Sequence, residues 1–198
     1  MAARTVVPQV PETLALDGGL FLRPLTLGDA PIVFDAIQGE RSDLRTWLPW
    51  VDQTATVADT IRFIEEAQAR RADGAALVYG LWLELEFAGV VDLHAIDYDN
   101  GSAQIGYWLR CAARGQGLAT QASMAMLGIA FEILELERVE IRCAVHNEPS
   151  QAIPRRLGFV LEGTLRHAQR LAEGHADLRV YGLLAQEYRQ ALHEFERR

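Results

Sequence analysis

A short loop with two glycines, set between a strand and an apolar helix, constrains this chain more than any other feature. The loop, Arg114–Thr120, reads RGQGLAT. The segment Gln104–Leu109 before it predicts a strand, and the apolar run from about Gly117 to Phe131 predicts a mostly buried helix. Glycines in such a loop let backbone N–H groups converge on an anion, and the helix N-terminus adds about half a positive charge. The pattern predicts a diphosphate cradle, although glycine in a tight turn also serves geometry alone.

Two familiar kinds of nucleotide loop do not fit. All 19 basic residues are arginine, so the phosphate-binding loop with a Gly-Lys pair, the protein-kinase lysine and any Schiff-base or pyridoxal-phosphate lysine are excluded. A dinucleotide fingerprint needs Gly or Ala where Thr120 stands and an acid where His146 stands. What remains is a phosphate-bearing cofactor held by backbone groups, with little help from cationic side chains.

The rest of the chain predicts one α+β domain. Residues 1–18 carry two prolines and a Gly-Gly turn, so we expect an extended arm there, followed by a single domain over residues 19–198. Thr26 with Asp29, and Thr56 with Asp59, predict two helix starts. Strands are expected at Leu20–Arg23, Ala76–Leu83, Phe87–Leu93, Gln104–Leu109, Val139–Val145, Phe159–Leu165 and Asp177–Leu184.

Charge, cysteine content and hydropathy limit the partners and ligands that we expect for this chain. The formal net charge is −8, which argues against a sequence-independent grip on nucleic acid. The two cysteines do not make a disulfide framework, and Cys143-x-x-His146 is at most half a metal site, so no metal is expected. No apolar run approaches the roughly 18–20 residues of a membrane helix. We therefore expect a cytoplasmic protein away from membranes, with a homodimer left open.

The loop and its neighbours resemble one family. Arg114-x-x-Gly117-x-Ala119 matches the acetyl-CoA signature of the GCN5-related N-acetyltransferases (GNAT). Further segments are similar to the RimJ/RimL branch, which acetylates ribosomal-protein N-termini: Trp47–Trp50, Ile105–Leu109, Val139–Val145, Asn147 with Ser150, Arg156–Phe159 and Leu161–Gly163. The resemblance runs from Leu20 to about Tyr188. It implies a mixed, mostly antiparallel sheet flanked by helices, with a cleft where the family's fourth and fifth strands splay apart.

The resemblance also implies a reaction. Acetyl-CoA is the co-substrate, and its acetyl group passes to a primary amine by direct attack. A backbone N–H near Leu109 polarises the thioester carbonyl, Ser150 protonates the departing thiolate, and Asn147 orients the cofactor. From the residues alone, Ser150 and Asn147 fit equally as the first turn and N-cap of a helix. The cofactor-binding set comprises Leu109, Arg114, Gly115, Gln116, Gly117, Leu118, Ala119, Thr120, Asn147 and Ser150.

The sequence predicts the residues that bind and deprotonate the acceptor amine less clearly. Trp47 and Trp50 fit a substrate wall, although core aromatics are the alternative. The acid that this branch carries after its Gly-Tyr-Trp-Leu segment is absent from Arg110–Ala113. Asp92 and His94 share one face of their strand, so they are candidates to relay the amine's proton through water and to contact the acceptor, or they form a structural pair.

A protein N-terminal α-amine is the acceptor that the resemblance implies. Its pKa of about 7.7–8.0 leaves on the order of a tenth of it neutral at pH 7, whereas a lysine side chain needs more help from a base. Acetylation of a small amine, such as an antibiotic or polyamine, is the alternative within enzymes. A non-catalytic acyl-CoA sensor is the alternative of another class, supported only by the missing acid.

Overall fold

The protein was analysed as a computed structural model, which describes residues 8–196. Residues 1–7 of the predicted arm lie outside the described part. Eight strands occur there: β1 (Leu14–Ala15), β2 (Leu20–Arg23), β3 (Leu77–Leu83), β4 (Glu86–Asp97), β5 (Ser102–Leu109), β6 (Arg138–Ala144), β7 (Val160–Leu171) and β8 (Gly174–Leu184). The α-helices are α1 (Ala30–Gly39), α2 (Arg41–Leu44), α3 (Val57–Ala72), α4 (Leu118–Gly128), α5 (Glu148–Arg156) and α6 (Ala185–Glu196).

The strands form one mixed sheet, which confirms the expected fold class. Their order is β1-β2-β3-β4-β5-β6-β8-β7. The pairing of β5 with β6 is parallel, and the other neighbouring pairs are antiparallel. The parallel pair needs a crossover, and the loop with α4 supplies it.

The parallel pair comes apart after three residues, which creates the predicted cleft. Ser102–Gln104 pairs with Arg138–Glu140, and no later residue of β5 pairs with β6. Both strands continue past this point, β5 to Leu109 and β6 to Ala144. A wedge-shaped gap therefore opens toward the carboxyl ends of the two strands.

Helices cover both faces of the sheet. On one face, α4 buries Leu118, Ala122 and Met126 against apolar residues of β3, β4, β5 and β6, as the predicted apolar stripe requires. On the other face, α1 and α3 pack on Trp82, Phe87 and Val90. Side chains that alternate along β4 and β5 therefore point toward two different helix layers.

The predicted helix starts are confirmed. Thr56 and Asp59 form a capping box at the start of α3, and Thr26 and Asp29 form one in the 3₁₀ turn that leads into α1. Four strands are longer than predicted: β4, β5, β7 and β8. The α-helical part of α4 ends at Gly128 and continues as a π-helical turn over Ile129–Ile133. Among the described residues, the helices are too short or too polar to cross a bilayer.

Candidate active site

Three side chains meet where β5 and β6 have separated. The pairing of Ala103 with Val139, continued four residues along both strands, puts Tyr107 and Cys143 on the same face of the sheet. The hydroxyl of Ser150, in the first turn of α5, donates to Cys143 Sγ at 3.2 Å and lies 3.3 Å from the Tyr107 hydroxyl. Tyr107 also donates to the backbone oxygen of Ser150 at 2.9 Å. The structure thus places the predicted proton donor at the gap.

Burial keeps both neighbours of Ser150 neutral. Burial raises the pKa of the Cys143 thiol. Burial likewise raises the pKa of Tyr107 well above its ordinary value. A neutral thiol and a neutral phenol orient the Ser150 hydroxyl without adding a charge beside it.

Asn147 caps α5, as the structural alternative predicted. Its Oδ1 accepts from the Ser150 N–H at 3.1 Å. The next residues, Glu148 and Pro149, are exposed in the first turn of the helix. The cap holds Ser150 at the helix start. Asn147 can therefore cap the helix and still lie in the turn that is predicted to contact the cofactor.

The loop before α4 has the geometry of an anion cradle. Gly115 and Gly117 have φ values of 75° and 80°, a region that side chains disfavour. A Cβ atom built on either glycine would meet nothing within 4 Å, so the space above the loop is open. The first N–H groups of α4, on Leu118, Ala119 and Thr120, have no intrahelical acceptor. This arrangement fits the diphosphate of a CoA thioester.

Two acids that the sequence reading missed hold this loop from the other side of the fold. Both carboxylate oxygens of Glu40 accept from the Cys111 N–H at 2.7 Å. Arg114 forms ion pairs with Glu40 at 3.4 Å and with Asp43 at 2.6 Å, and it donates to the Leu109 carbonyl at 3.1–3.2 Å. The guanidinium of Arg114 is therefore bound by other groups of the protein. These contacts indicate that the arginine of the signature stabilises the conformation of the loop.

The side chains of Gln116 and Arg110 also donate to backbone carbonyls. The Gln116 side chain donates to the Ala112 carbonyl at 2.9 Å, four residues back. Arg110, which stands where the family branch has an acid, donates to the Phe87 carbonyl at 3.2 Å. Its side chain therefore lies against the start of β4.

The opposite face of the sheet carries the predicted acceptor residues. Trp50 is partly buried, with its ring 6.1 Å from that of Trp108 on β5, and Trp108 packs edge-on against Phe87 at 5.8 Å. Trp47 lies nearby, and its carbonyl accepts from the Gln169 side chain of β7 at 3.5 Å. A cavity of about 400 Å³ lies beside it, between α2 and the β7–β8 turn. Trp50 is therefore packed partly against the core and partly exposed to solvent on this face of the sheet.

Asp92 and His94 are in direct contact on that same face. Asp92 pairs with Gly106 and His94 with Gln104 across the β4–β5 ladder, while Asp92 Oδ1 and His94 Nδ1 share a hydrogen bond. The hydrogen bond that Asp92 accepts raises the pKa of His94. A Cβ atom on Gly106 would lie 2.9 Å from Asp92 Oδ2, so this glycine leaves room for the carboxylate. Both side chains are partly exposed, which a proton relay requires.

A metal has no cluster of ligands to bind in the described part of the chain. Groups of three or more His, Cys, Asp and Glu side chains suited to a metal ion do not occur there. Cys143 contacts Ser150 and Tyr107 rather than a histidine.

Comparisons with known proteins find similarity to acetyltransferases. Residues 19–160 match the sequence profile described as acetyltransferase (GNAT) domain. The putative ribosomal N-acetyltransferase YdaF of Bacillus subtilis (strain 168) is 34% identical over 178 residues, which cover 89% of this chain and 97% of that protein. The ribosomal-protein-serine acetyltransferase of Escherichia coli (strain K12) is 29% identical over 170 residues, 86% and 95% of the two chains.

A solved structure extends the likeness to three dimensions and to coenzyme A. It is described as RimL, a ribosomal L7/L12 alpha-N-protein acetyltransferase in complex with coenzyme A, which is joined to a cysteine by a disulfide. The TM-score is 0.84 at 28% identity, and the match covers 89% of this chain and 99% of that one.

Proposed function

Because the chain belongs to the GNAT acetyltransferase family and is an acetyl-CoA-dependent N-acetyltransferase, we propose that its acceptor is the α-amine of a protein N-terminus, of the ribosomal-protein kind. The observation that carries this assignment is its similarity, over nearly its whole length, to proteins named as ribosomal-protein acetyltransferases. The low pKa of an α-amine also suits a chain in which Arg110 replaces the usual acid.

Acetyl-CoA would be held mainly by backbone groups. The N–H groups of Gly115–Thr120 face the diphosphate, helped by the positive end of α4. Gln116 and Arg114 keep the loop in shape through their contacts with Ala112, Leu109 and Glu40. The backbone N–H of Leu109 polarises the thioester carbonyl. The open space above Gly115 and Gly117 supports this arrangement.

The reaction moves two protons. The neutral amine attacks the thioester carbonyl carbon, a C–N bond forms, and the C–S bond to coenzyme A breaks. The nitrogen loses its proton to the Asp92–His94 pair through water, and the departing thiolate takes one from Ser150. Asn147 keeps Ser150 at the start of α5. Water then restores the Ser150 proton and takes up the proton from the Asp92–His94 pair, so that the products are the acetylated amine and free coenzyme A.

The acceptor enters from the face that carries Trp50 and Trp108. Trp47 and Trp50 form one wall of the entrance, and His94 contacts the acceptor peptide.

The domain spans residues 19–198, works in the cytoplasm, and has neither a nucleic acid nor a membrane as partner. Light scattering would distinguish a monomer from a homodimer.

A matched set of acceptors tests the proposal. One peptide is made twice, once with a free α-amine and a blocked lysine, and once with a blocked α-amine and a free lysine. Spermidine and an aminoglycoside complete the set, and release of coenzyme A thiol is measured for each. We expect the highest kcat/KM with the free α-amine. Higher kcat/KM with the lysine, spermidine or the aminoglycoside would contradict the proposed acceptor.

A further inference from the structure

Gln151, which follows Ser150 in the first turn of α5, is a fully buried polar side chain. Its Nε2 donates to the carbonyl oxygens of Ala144 and Val145, at 3.0 Å each. A glutamine amide has two hydrogens to donate, and both are used here. Their acceptors are the last residue of β6 and the residue after it. The amide therefore ties the helix start to the end of the strand that borders the gap.

The oxygen of the same amide collects three donors. Gln151 Oε1 accepts from the Tyr181 hydroxyl at 3.1 Å and from Arg155 at 3.0 Å, and it also accepts from the Arg179 guanidinium. Arg155 lies in α5, whereas Arg179 and Tyr181 lie on β8. One neutral side chain thus joins α5, β6 and β8.

The contact with β6 coincides with the turn that carries the candidate catalytic groups. The Ala144 carbonyl also accepts from the Asn147 N–H at 2.9 Å, and the Gln151 N–H donates to the Asn147 carbonyl at 3.0 Å. Two hydrogen bonds to the Ala144 carbonyl, one from the backbone and one from the Gln151 side chain, therefore attach the residues Asn147–Gln151 to the end of β6.

We propose that Gln151 is a positioning residue that holds the Ser150 hydroxyl at the gap between β5 and β6. It does not touch the reacting atoms itself, since its amide points away into the packing between α5, β6 and β8. The inference rests on the proposed role of Ser150 as proton donor. A neutral amide suits the position because a carboxylate there would face two carbonyl oxygens without a hydrogen to give them.

The first variant is Gln151→Met, which keeps the length of the side chain and removes its hydrogen bonds. Because a misplacement of about 1 Å costs on the order of 10²-fold in rate, we expect kcat to fall by about 10- to 100-fold. The Kd for acetyl-CoA should change by less than about threefold, since the loop before α4 is untouched.

A double-mutant cycle separates positioning from general damage. Residues that act as one unit have strongly non-additive effects. In the Ser150→Ala background, Gln151→Met should lower kcat by less than about threefold, because the hydroxyl that it positions is gone. The same fold loss in both backgrounds would overturn the proposal.

Asp29→Asn is the matched control for lost stability. Asp29 is a buried, hydrogen-bonded side chain in the turn before α1, away from α5. Its replacement should destabilise the protein and leave kcat unchanged well below the melting temperature. A comparable fall in kcat in this variant would mean that the Gln151 effect reports stability alone, which also contradicts the proposal. Should Gln151→Met not fold, the isosteric Gln151→Glu replaces the two N–H donors with an oxygen acceptor and adds a negative charge, and it enters the same cycle.

Hydrogen exchange tests the inference without turnover. In Gln151→Met, the amides of residues 147–151 should exchange faster, while those of Val139–Cys143 and α4 stay as in the parent. Unchanged exchange over residues 147–151 would overturn the positioning role, whatever the acceptor proves to be. Failure of every amine to be acetylated by the parent would instead contradict the proposed acceptor and leave this measurement to decide on Gln151.

Discussion

Ser150 combines a helix position with a hydroxyl directed at sulfur. Its N–H satisfies the Asn147 cap, while its Oγ donates to Cys143 Sγ at 3.2 Å. The hydroxyl has one hydrogen, so donation to the thiolate of coenzyme A requires it to turn away from Cys143 Sγ. The helix position and the proposed chemical role of this serine use different atoms, so a substitution can separate them.

Ser150→Ala should lower kcat by about 10²–10⁴-fold, the contribution of one well-placed donor. Acetyl-CoA affinity should change little, and Ser150→Cys should recover part of the loss because a thiol still donates. Ser123→Ala is the control, since Ser123 is also buried, lies on neighbouring α4, and its Oγ has no hydrogen-bond partner among the described residues. Steady-state kinetics decide, and a kcat for Ser150→Ala within about threefold of the parent would exclude the donor role.

Trp50 borders two environments, so its removal should have two effects. Trp50→Ala should lower stability, because the ring packs on Trp108, and it should raise the acceptor KM more than the acetyl-CoA KM. Phe21→Ala is a matched control, since Phe21 packs on Trp82 within the same apolar cluster. Equal changes of both Michaelis constants in Trp50→Ala would mark Trp50 as core only.

Among the elements, the loop before α4 depends on structure from both sides of the sheet. Its glycines provide the conformation, whereas Glu40, at the junction of α1 and α2, holds Cys111 and Arg114. The same short segment leads on to Trp47 and Trp50. The carboxylates of Glu40 and Asp43 therefore join the loop before α4 to the segment that carries the proposed acceptor wall.

Gly117→Ala should weaken acetyl-CoA binding more than it weakens the fold. The left-handed backbone at Gly117 makes any side chain strained, at about 1–2 kcal/mol. Gly158→Ala is the matched control, because Gly158 has φ 82° against 80° and equally open surroundings, at the far end of α5. Calorimetric titration should show weaker binding in Gly117→Ala alone. Equal affinity in the two variants would mean that the diphosphate binds elsewhere.

For the molecule as a whole, one partly buried ion pair links stability to pH. Asp29 accepts two hydrogen bonds from Arg23 at 2.7 Å and one from the Thr26 N–H at 2.7 Å. Burial raises the pKa of Asp29, but the hydrogen bonds from Arg23 and Thr26 outweigh it and lower the pKa from 3.8 to about 2. Because the folded state favours the ionised carboxylate, its contribution is present above about pH 4 and is lost as the pH falls toward 2.

Asp29→Asn should therefore cost about 2 kcal/mol of unfolding free energy at pH 7. Between pH 4 and pH 2, the parent should lose stability more steeply than the variant, as followed by urea unfolding at each pH. Asp59→Asn is the comparison, because Asp59 forms the same capping box on the exposed start of α3. Its effect should have the same direction and be smaller, since hydrogen bonds from Thr56 lower the pKa of Asp59 as well. A parallel pH dependence in parent and Asp29→Asn would contradict the linkage.

Much of the fold was readable because its signals are local. The Thr-x-x-Asp boxes, the apolar stripe of α4 and the alternation in β6 each lie within a few residues of chain. The ends of β4, β7 and β8 were missed because pairing with a neighbouring strand extends them past their apolar pattern. The fold class and the family followed from segments that kept their order and spacing.

By itself, the sequence determined most of the strands and helices and their order, although not β1, α2 or α6. It also determined the glycine loop and the candidates Asp92, His94, Asn147 and Ser150, since these depend on backbone preferences and short-range periodicity. Tertiary structure decided which candidates meet. Glu40 reaches Arg114 across 74 residues, and Ser150 reaches Tyr107 across 43. Gln151 becomes a junction only when β8 brings Tyr181 beside it. Such contacts follow from sheet register and helix packing, which join distant segments that no local pattern relates.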